Sequence, residues 1–588
     1  MSDRLDQVQR AIDLMATDRF SEAEAICRNL LKRSPANAHA ARVLSNVLFL
    51  QGEMVQASHF ARVAARHAPA GDAMFTWSLA RVCRQFDEPA FVISLLNKST
   101  ATNPRFFDAW IALSEVLLSQ NRFAEALEAA DAGLRAEPGQ CDARFNRAIA
   151  LMNMGRGEEA LAEARAVAGD SPDYPGRHIL FISVANYTDA VDPNEIKLEH
   201  EACARWLDSR AEARGGALPP VEPRSIAPTD RIRVGLLSPD LREHPVGWFI
   251  DAAVRGLDKR RFHLTAYSNT ARPDARSERL KGLVDAWRDI ALLAPRTAAE
   301  VIRQDAIDVL IELAGYTAGN GMEIVAFQPA PRQVSYLGYP NTTGSQRVHY
   351  RLVDTRTDPP GHEGLSTERL VRLDPCFVCY TPPATAPITP GPAAAAGRIV
   401  FGSFNALKKT NNRLLALWSE ILRRVPDSAL IIKNPALRDQ GTRDGLLKRL
   451  QDLGVPADRV ELLAPTETLQ QHLATYARVD IALDTFPYHG TTTTCEALYM
   501  GVPVITRVGN HHAARVGLSL LSAVGLEAFC ADSDEAYIDA AVKLAQDHHQ
   551  LAELRRTLRP RLLASPVCDA KAYAARLAAA LEQIAAGT

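Results

Sequence analysis

The chain has 588 residues, 47% of them hydrophobic and 23% charged, with a formal net charge of -2. That balance suits a globular protein of about three or four domains and gives no electrostatic footprint for nucleic acid or an anionic membrane. No apolar run approaches the roughly 18 residues that span a bilayer, the charged start lacks a signal-peptide core, and nine scattered cysteines with one CxxC (Cys376–Cys379) point to a reducing cytoplasm rather than to zinc or a disulfide framework.

In chain order, the first feature is a repeat. Pro35, Pro69, Pro104, Pro138 and Pro172 are spaced by 34, 35, 34 and 34 residues. In that register Ala11, Ser45, Ala80, Ser114 and Ala148 fall in the first helix of each unit. Ala23, Ala57, Ala126 and Ala160 fall in the second. Period and pattern resemble the tetratricopeptide repeat, in which small residues let antiparallel helices approach closely. Five repeats are expected over residues 1–175, the third degenerate because Val92 replaces an alanine and Pro89 stands near a helix start. Such a groove binds an extended peptide or partner protein; a helical spacer or a homodimer surface remains open. Residues 176–228 read as capping helices and a linker, with Gly215–Thr229 the Pro/Gly-rich boundary.

Beyond the linker, strands and helices alternate. Ile232–Leu237, His263–Tyr267, Val309–Leu313, Val334–Leu337 and Arg351–Val353 are the expected strands of a first lobe, residues 229–396. After a Pro/Ala-rich break at Thr381–Gly397, a second lobe (397–588) has strands at Ile399–Phe404, Ala429–Ile432, Arg459–Leu462, Asp480–Leu483 and Val502–Thr506, with a last helix at Ala570–Ala586. The fold class is therefore an α-solenoid followed by two Rossmann-like α/β lobes with a ligand cleft between them. Neither lobe carries the dinucleotide GxGxxG or a P-loop.

Open α/β sheets bind ligands at the carboxyl ends of their strands. There the first lobe offers Asp240, His244 as a base, donor or helix cap, Glu312, and a turn-rich loop with Tyr339, Pro340, Asn341 and Thr342 suited to close backbone approach. The second lobe offers Asn405 and Lys409, the lysine a point charge for phosphate. Asp480–Gly501 reads as strand, loop and helix, with Thr491, Thr492 and Thr493 at the helix start, where free N–H groups attract phosphate. Glu496, one turn further in, is placed for ribose hydroxyls or for solvent. Asp532-Ser533-Asp534 matches a DxD metal motif but lies in a polar turn far from these loops, so no metal is assigned.

The segments RVGLLSPD, LGYPNTTG, FGSFNALKK, DTFPYHGTTTTCEALYMGVPVIT and HHAARVGLSLL, behind the repeats, resemble the protein O-glycosyltransferases that include O-GlcNAc transferase and the SPINDLY-type O-fucosyltransferases. The resemblance implies a GT-B catalytic half whose first lobe faces the acceptor and whose second holds the donor. It places His244 on the family's His-Pro pair and Lys409 on the lysine that stabilises the leaving phosphate. Thr491–Thr493 fall on the pyrophosphate site, Glu496 on the ribose and His472 beside the nucleotide. Ala406 stands where O-GlcNAc transferase has glutamine, Glu496 replaces its Asp, and Pro245 stands where SPINDLY-type enzymes have serine.

The implied reaction is inverting, metal-independent transfer of a sugar to Ser or Thr of a protein recruited by the repeats, with His244, Asp240 or Glu312 handling the hydroxyl proton. No cofactor is implied beyond the nucleotide-sugar co-substrate, with UDP-GlcNAc, GDP-fucose and CMP-nonulosonate as candidates. Bacterial relatives of this architecture make flagellin a candidate acceptor. A repeat adaptor with a vestigial catalytic half, and a transferase with a non-protein acceptor, are the alternatives.

Overall fold

The computed structural model describes residues 2–171, 173–383 and 387–587. Pro172 of the repeat register and residues 384–386 of the expected inter-lobe break lie outside them. The chain forms two compact units. One comprises Met1–Met154, Ala162–Tyr174 and Arg438–Thr442; the other comprises Gly155–Leu161, Pro175–Leu437 and Arg443–Thr588.

The first unit is helical, beginning with Ser2–Ala16, Phe20–Arg33, Ala38–Leu50 and Met54–Arg66. The small residues of the repeat register are all buried, Ala80 at 1% exposure and the rest at zero. Absence of a larger side chain lets paired helices meet, and Ser45 Oγ donates to the Ala57 carbonyl at 2.8 Å across such a pair. The degenerate third unit still folds as Ala73–Cys83 and Pro89–Thr102. Pro89 begins its helix at N1, where the missing N–H has no intrahelical partner to lose, so it starts the helix instead of breaking it.

The second unit holds two parallel sheets. In the first lobe β1 (Ile232–Ser238), β2 (Phe262–Ser268), β3 (Ala286–Asp289), β4 (Val309–Glu312), β5 (Arg332–Ser335), β6 (Tyr350–Val353) and β7 (Arg369–Arg372) lie in the order β3-β2-β1-β4-β5-β6-β7. In the second lobe β8 (Val400–Ser403), β9 (Ala429–Lys433), β10 (Val460–Leu463), β11 (Ile481–Leu483), β12 (Val504–Arg507) and β13 (Cys530–Ala531) lie in the order β10-β9-β8-β11-β12-β13. Strand order reverses between β1 and β4 and between β8 and β11, which opens a crevice at the carboxyl end of each sheet.

Strands β3, β7 and β13 were not among the sequence expectations: AWRD, RLVR and the two-residue CA lack the apolar run that marks a central strand. The last helix, Ala570–Ala586, also departs from expectation. It was assigned with the second lobe but packs on the first: a Cβ on Gly256 would stand 2.4 Å from the Cβ of Ala574. Tyr573 donates to the Phe377 carbonyl at 3.1 Å, and Glu582 pairs with Arg261 at 2.7 Å.

Candidate active site

The loop after β1 turns back at Asp240, whose N–H donates to Ser238 Oγ at 3.0 Å. It then enters the helix Pro245–Gly256. His244 is the N-cap, in extended conformation, and its Nδ1 accepts the Val246 N–H at 3.3 Å. A Cβ at Gly247 would stand 2.2 Å from the Arg242 carbonyl, so only glycine lets the loop fold this tightly over the helix. Burial pushes the His244 pKa down; Asp240, 3.6 Å away, pulls it up, and Arg242 pushes it down further. In the neutral imidazole an accepting Nδ1 leaves the proton on Nε2, which makes His244 a donor toward anything beside it.

Across the cleft, β8 leads through Asn405 and Ala406 into the turn Leu407–Lys409 and the helix Asn412–Arg424, capped by Asn411. Lys409 Nζ donates to the His489 carbonyl at 2.7 Å and lies 4.1 Å from the Tyr488 ring centroid. Burial pushes its pKa down to about 7, with Asp484 opposing and Lys408 adding to the fall. Lys408 lies 4.8 Å over Tyr187, and Tyr187 stacks on Tyr488 at 5.1 Å. Each of the two stacked rings therefore has a lysine beside it.

The loop after β11 is organised by buried Asp484. Its Oδ1 accepts the Thr485 and Gly490 N–H groups and the Asn405 amide, and its Oδ2 accepts the Thr506 hydroxyl. Helix Thr492–Tyr499 follows, with Thr491 at the N-cap and no side chain capping it. Its first N–H groups thus remain for a ligand. Thr493 donates to Asn405 Oδ1 at 2.8 Å. A Cβ on Gly490 would press on both residues, at 2.4 Å from Thr493 Oγ1 and 2.8 Å from Asn405 Oδ1.

Together these elements enclose a cleft of about 300 Å³ lined by His244, Asn405, Lys408, Lys409, Thr491–Thr493, Tyr187, Tyr488 and His512 among others. Among the described residues that line it there are two lysines and two histidines and no carboxylate. Such a surface suits a ligand with several negative charges.

Expected residues lie in three other places. Pro340 lines the cleft with Leu337 and Gly338, but the rest of that loop points into the fold. The Tyr339 hydroxyl donates to His200 Nε2 at 2.6 Å and accepts from Asn186 at 2.8 Å, Asn341 donates to Asn186, and Thr342 donates to buried Glu368. Glu312, expected as a second carboxylate of the cleft, is 1% exposed and accepts the N–H groups of Ala314, Gly315 and Gly321. Glu496 and His472 stand next to the cleft in a chain: Lys433 donates to His472 Nδ1 at 2.5 Å, and His472 Nε2 donates to Glu496 at 3.0 Å. The Tyr476 hydroxyl also reaches Glu496, at 3.4 Å. The late DxD is a helix start: Ser533 caps Asp534–Gln546 and Asp534 is held by Arg413 and Arg507.

Tyr187, Tyr488, Lys433, Asp484 and His512 were missed as site residues. Lys433 and Asp484 end or follow strands and carried the same positional signal as Lys409. Tyr187 belongs to the turn between two capping helices, where nothing in the local pattern marks it.

A glycosyl transferase family 41 profile matches residues 220–379 and 393–577, and tetratricopeptide profiles match 8–73, 94–140 and 111–175. The chain is 41% identical over 358 residues to an Arabidopsis thaliana protein named probable UDP-N-acetylglucosamine–peptide N-acetylglucosaminyltransferase SPINDLY, covering 60% of this chain and 39% of that protein. The relative of that name from Eustoma exaltatum is 43% identical over 341 residues, 57% of this chain and 37% of its own. The chain thus spans about two fifths of the length of these curated relatives. A mutant of Thermobaculum terrenum O-GlcNAc transferase superposes with a TM-score of 0.79 at 30% identity, covering 88% of this chain and 98% of that one.

Proposed function

The chain belongs to glycosyl transferase family 41, and from that premise we propose that it moves a sugar, with inversion and without a metal, from a nucleotide-sugar to a Ser or Thr hydroxyl of a protein held by its repeats. The observation that carries the reading is the carboxylate-free cleft at two facing strand-order reversals, with Lys409 and the uncapped threonine helix on its second-lobe wall. In the reaction the hydroxyl oxygen bonds to the anomeric carbon while the bond from that carbon to the diphosphate breaks, its electron pair staying on the phosphate oxygen. Lys409 and the N–H groups at Thr491–Thr493 stabilise that developing charge, and His244 donates from the opposite lobe. Holding acceptor and donor on facing walls supplies the in-line geometry. Glu496, oriented by His472, is assigned to the ribose.

The names of the plant relatives point to UDP-N-acetylglucosamine; GDP-fucose and CMP-nonulosonate are the other donors to be tested, and flagellin is one acceptor to be tested. The test screens full-length protein against UDP-, GDP- and CMP-sugars by thermal shift, then follows transfer by intact-protein mass spectrometry. Saturable binding of one nucleotide class, lost in Lys409→Ala, is expected. Binding of none would overturn the reading.

A further inference from the structure

Four histidines besides His244 surround the cleft or its rim, and their hydrogen bonds distinguish them. His489 has both nitrogens engaged: Nδ1 accepts the Gly517 N–H at 2.9 Å and Nε2 donates to the Arg507 carbonyl at 2.7 Å. His472 is held between Lys433 and Glu496. His511 has its Nδ1 buried, and burial pushes its pKa down to about 4. His512 differs from all of them. Its Nδ1 lies 2.5 Å from Asp358 Oδ2, and both side chains are nearly buried, at 5% and 7% exposure. Arg351 stands 3.6 Å from the other oxygen of Asp358, and the ring of Phe377 meets the imidazole edge-on at 5.1 Å. The imidazole is thus fixed in position by a carboxylate and in plane by an aromatic ring.

A carboxylate can only accept, so the Nδ1 proton of neutral His512 points at Asp358 and the lone pair lies on Nε2. Among the described residues none bonds that Nε2, and His512 lines the cleft with Lys409 and Thr491–Thr493. His244 has the reverse arrangement, since its Nδ1 accepts a backbone N–H and its Nε2 carries the proton. The cleft therefore holds one imidazole that donates and one that accepts.

We propose that His512, held by Asp358, is the base that takes the acceptor hydroxyl proton, an inference that rests on the transferase reading above. The step balances. The hydroxyl oxygen forms its bond to the anomeric carbon, the bond from that carbon to the diphosphate breaks with its electrons on the leaving oxygen, and the hydroxyl proton moves to Nε2. Asp358 stabilises the imidazolium that results and acts as a positioning residue, as the aspartate of Ser-His-Asp hydrolases does for their basic histidine.

The test measures transfer from the bound nucleotide-sugar to a pool of synthetic Ser/Thr peptides, using the full chain. His512→Ala and His512→Gln are expected to lose roughly 10²–10⁴-fold in kcat with the donor KM and nucleotide binding kept, and added imidazole should restore part of the His512→Ala rate. Asp358→Asn is nearly isosteric but would donate to Nδ1, moving the His512 proton to Nε2, and should lose kcat in the same way. Retained nucleotide binding and an unchanged melting profile establish that each variant is folded; a second replacement, His512→Asn, covers a misfolded one. Wild-type-like kcat in the His512 variants, or loss without imidazole rescue together with full activity in Asp358→Asn, overturns the proposal. Absence of any transfer by the wild type removes the transferase reading and this inference together.

Discussion

The Lys409 ammonium is held 4.1 Å from the centre of the Tyr488 ring while it donates to the carbonyl of the next residue, His489. A lysine so placed has traded water for a ring face and one carbonyl, which is why burial takes its pKa down to about 7.

A bound diphosphate would favour the charged lysine, so donor binding should take up a proton. Below pH 7 the lysine is already charged and binding is unaffected. As pH rises above about 7, affinity should fall by up to tenfold per unit. Calorimetry of nucleoside diphosphate binding in buffers of different ionisation enthalpy should show proton uptake near pH 8, absent in Lys409→Met. A pH-independent wild-type affinity would show that the lysine is charged in the empty cleft.

The Tyr187 ring has Lys408 4.8 Å from its centre and stacks on Tyr488. Tyr187→Ala should weaken nucleotide binding by about 0.5–2 kcal/mol, the range of a partly desolvated cation–π contact. Tyr187→Phe keeps the ring and should lose much less. Equal losses in the two variants would assign the effect to the hydroxyl.

Glu312 is predicted to act on the fold. Burial raises its pKa to about 7, against three backbone N–H donors that lower it. Between its unfolded value near 4.5 and about 7 the folded protein binds more protons, so this group's contribution is present at acid pH and lost as pH rises through 7. Glu312→Gln should flatten that dependence in urea unfolding between pH 5 and 8. It should also destabilise the protein by about 1–3 kcal/mol, because an amide cannot accept all three N–H groups. A large fall in kcat with unchanged stability would restore it to the reaction.

Gly490→Ala introduces a methyl group against Thr493 and Asn405. Overpacking of this kind costs about 1–3 kcal/mol, and here it also separates the threonine helix from the loop after β8. Nucleotide binding should fall more than the melting temperature suggests, measured by titrating UDP, GDP and CMP against the variant.

The central strands were legible because β1, β4, β8 and β9 are apolar runs with turn residues after them. Edge strands β3, β7 and β13 are short, carry charge or both, and owe their conformation to a neighbour that local pattern does not reveal. The same contrast holds in the site. Lys409, Asn405 and Thr491–Thr493 follow strand ends, the positions the sequence marks as candidates, and line one cleft. Tyr339 sat in the right loop, but its side chain is claimed by Asn186 and His200, some 140–150 residues earlier in the chain. Asp358 and His512 are 154 residues apart and become a pair only when the chain folds.

The return of helix Ala570–Ala586 to the first lobe means that the chain passes between the lobes twice, once ahead of β8 and once ahead of residue 570. A single tether would let the lobes swivel freely. A second crossing removes part of that freedom, because the end of the chain is fixed to the lobe from which it set out. The walls of the cleft, with His244 on one and Lys409 on the other, are thereby tied together at the end of the chain as well as in its middle.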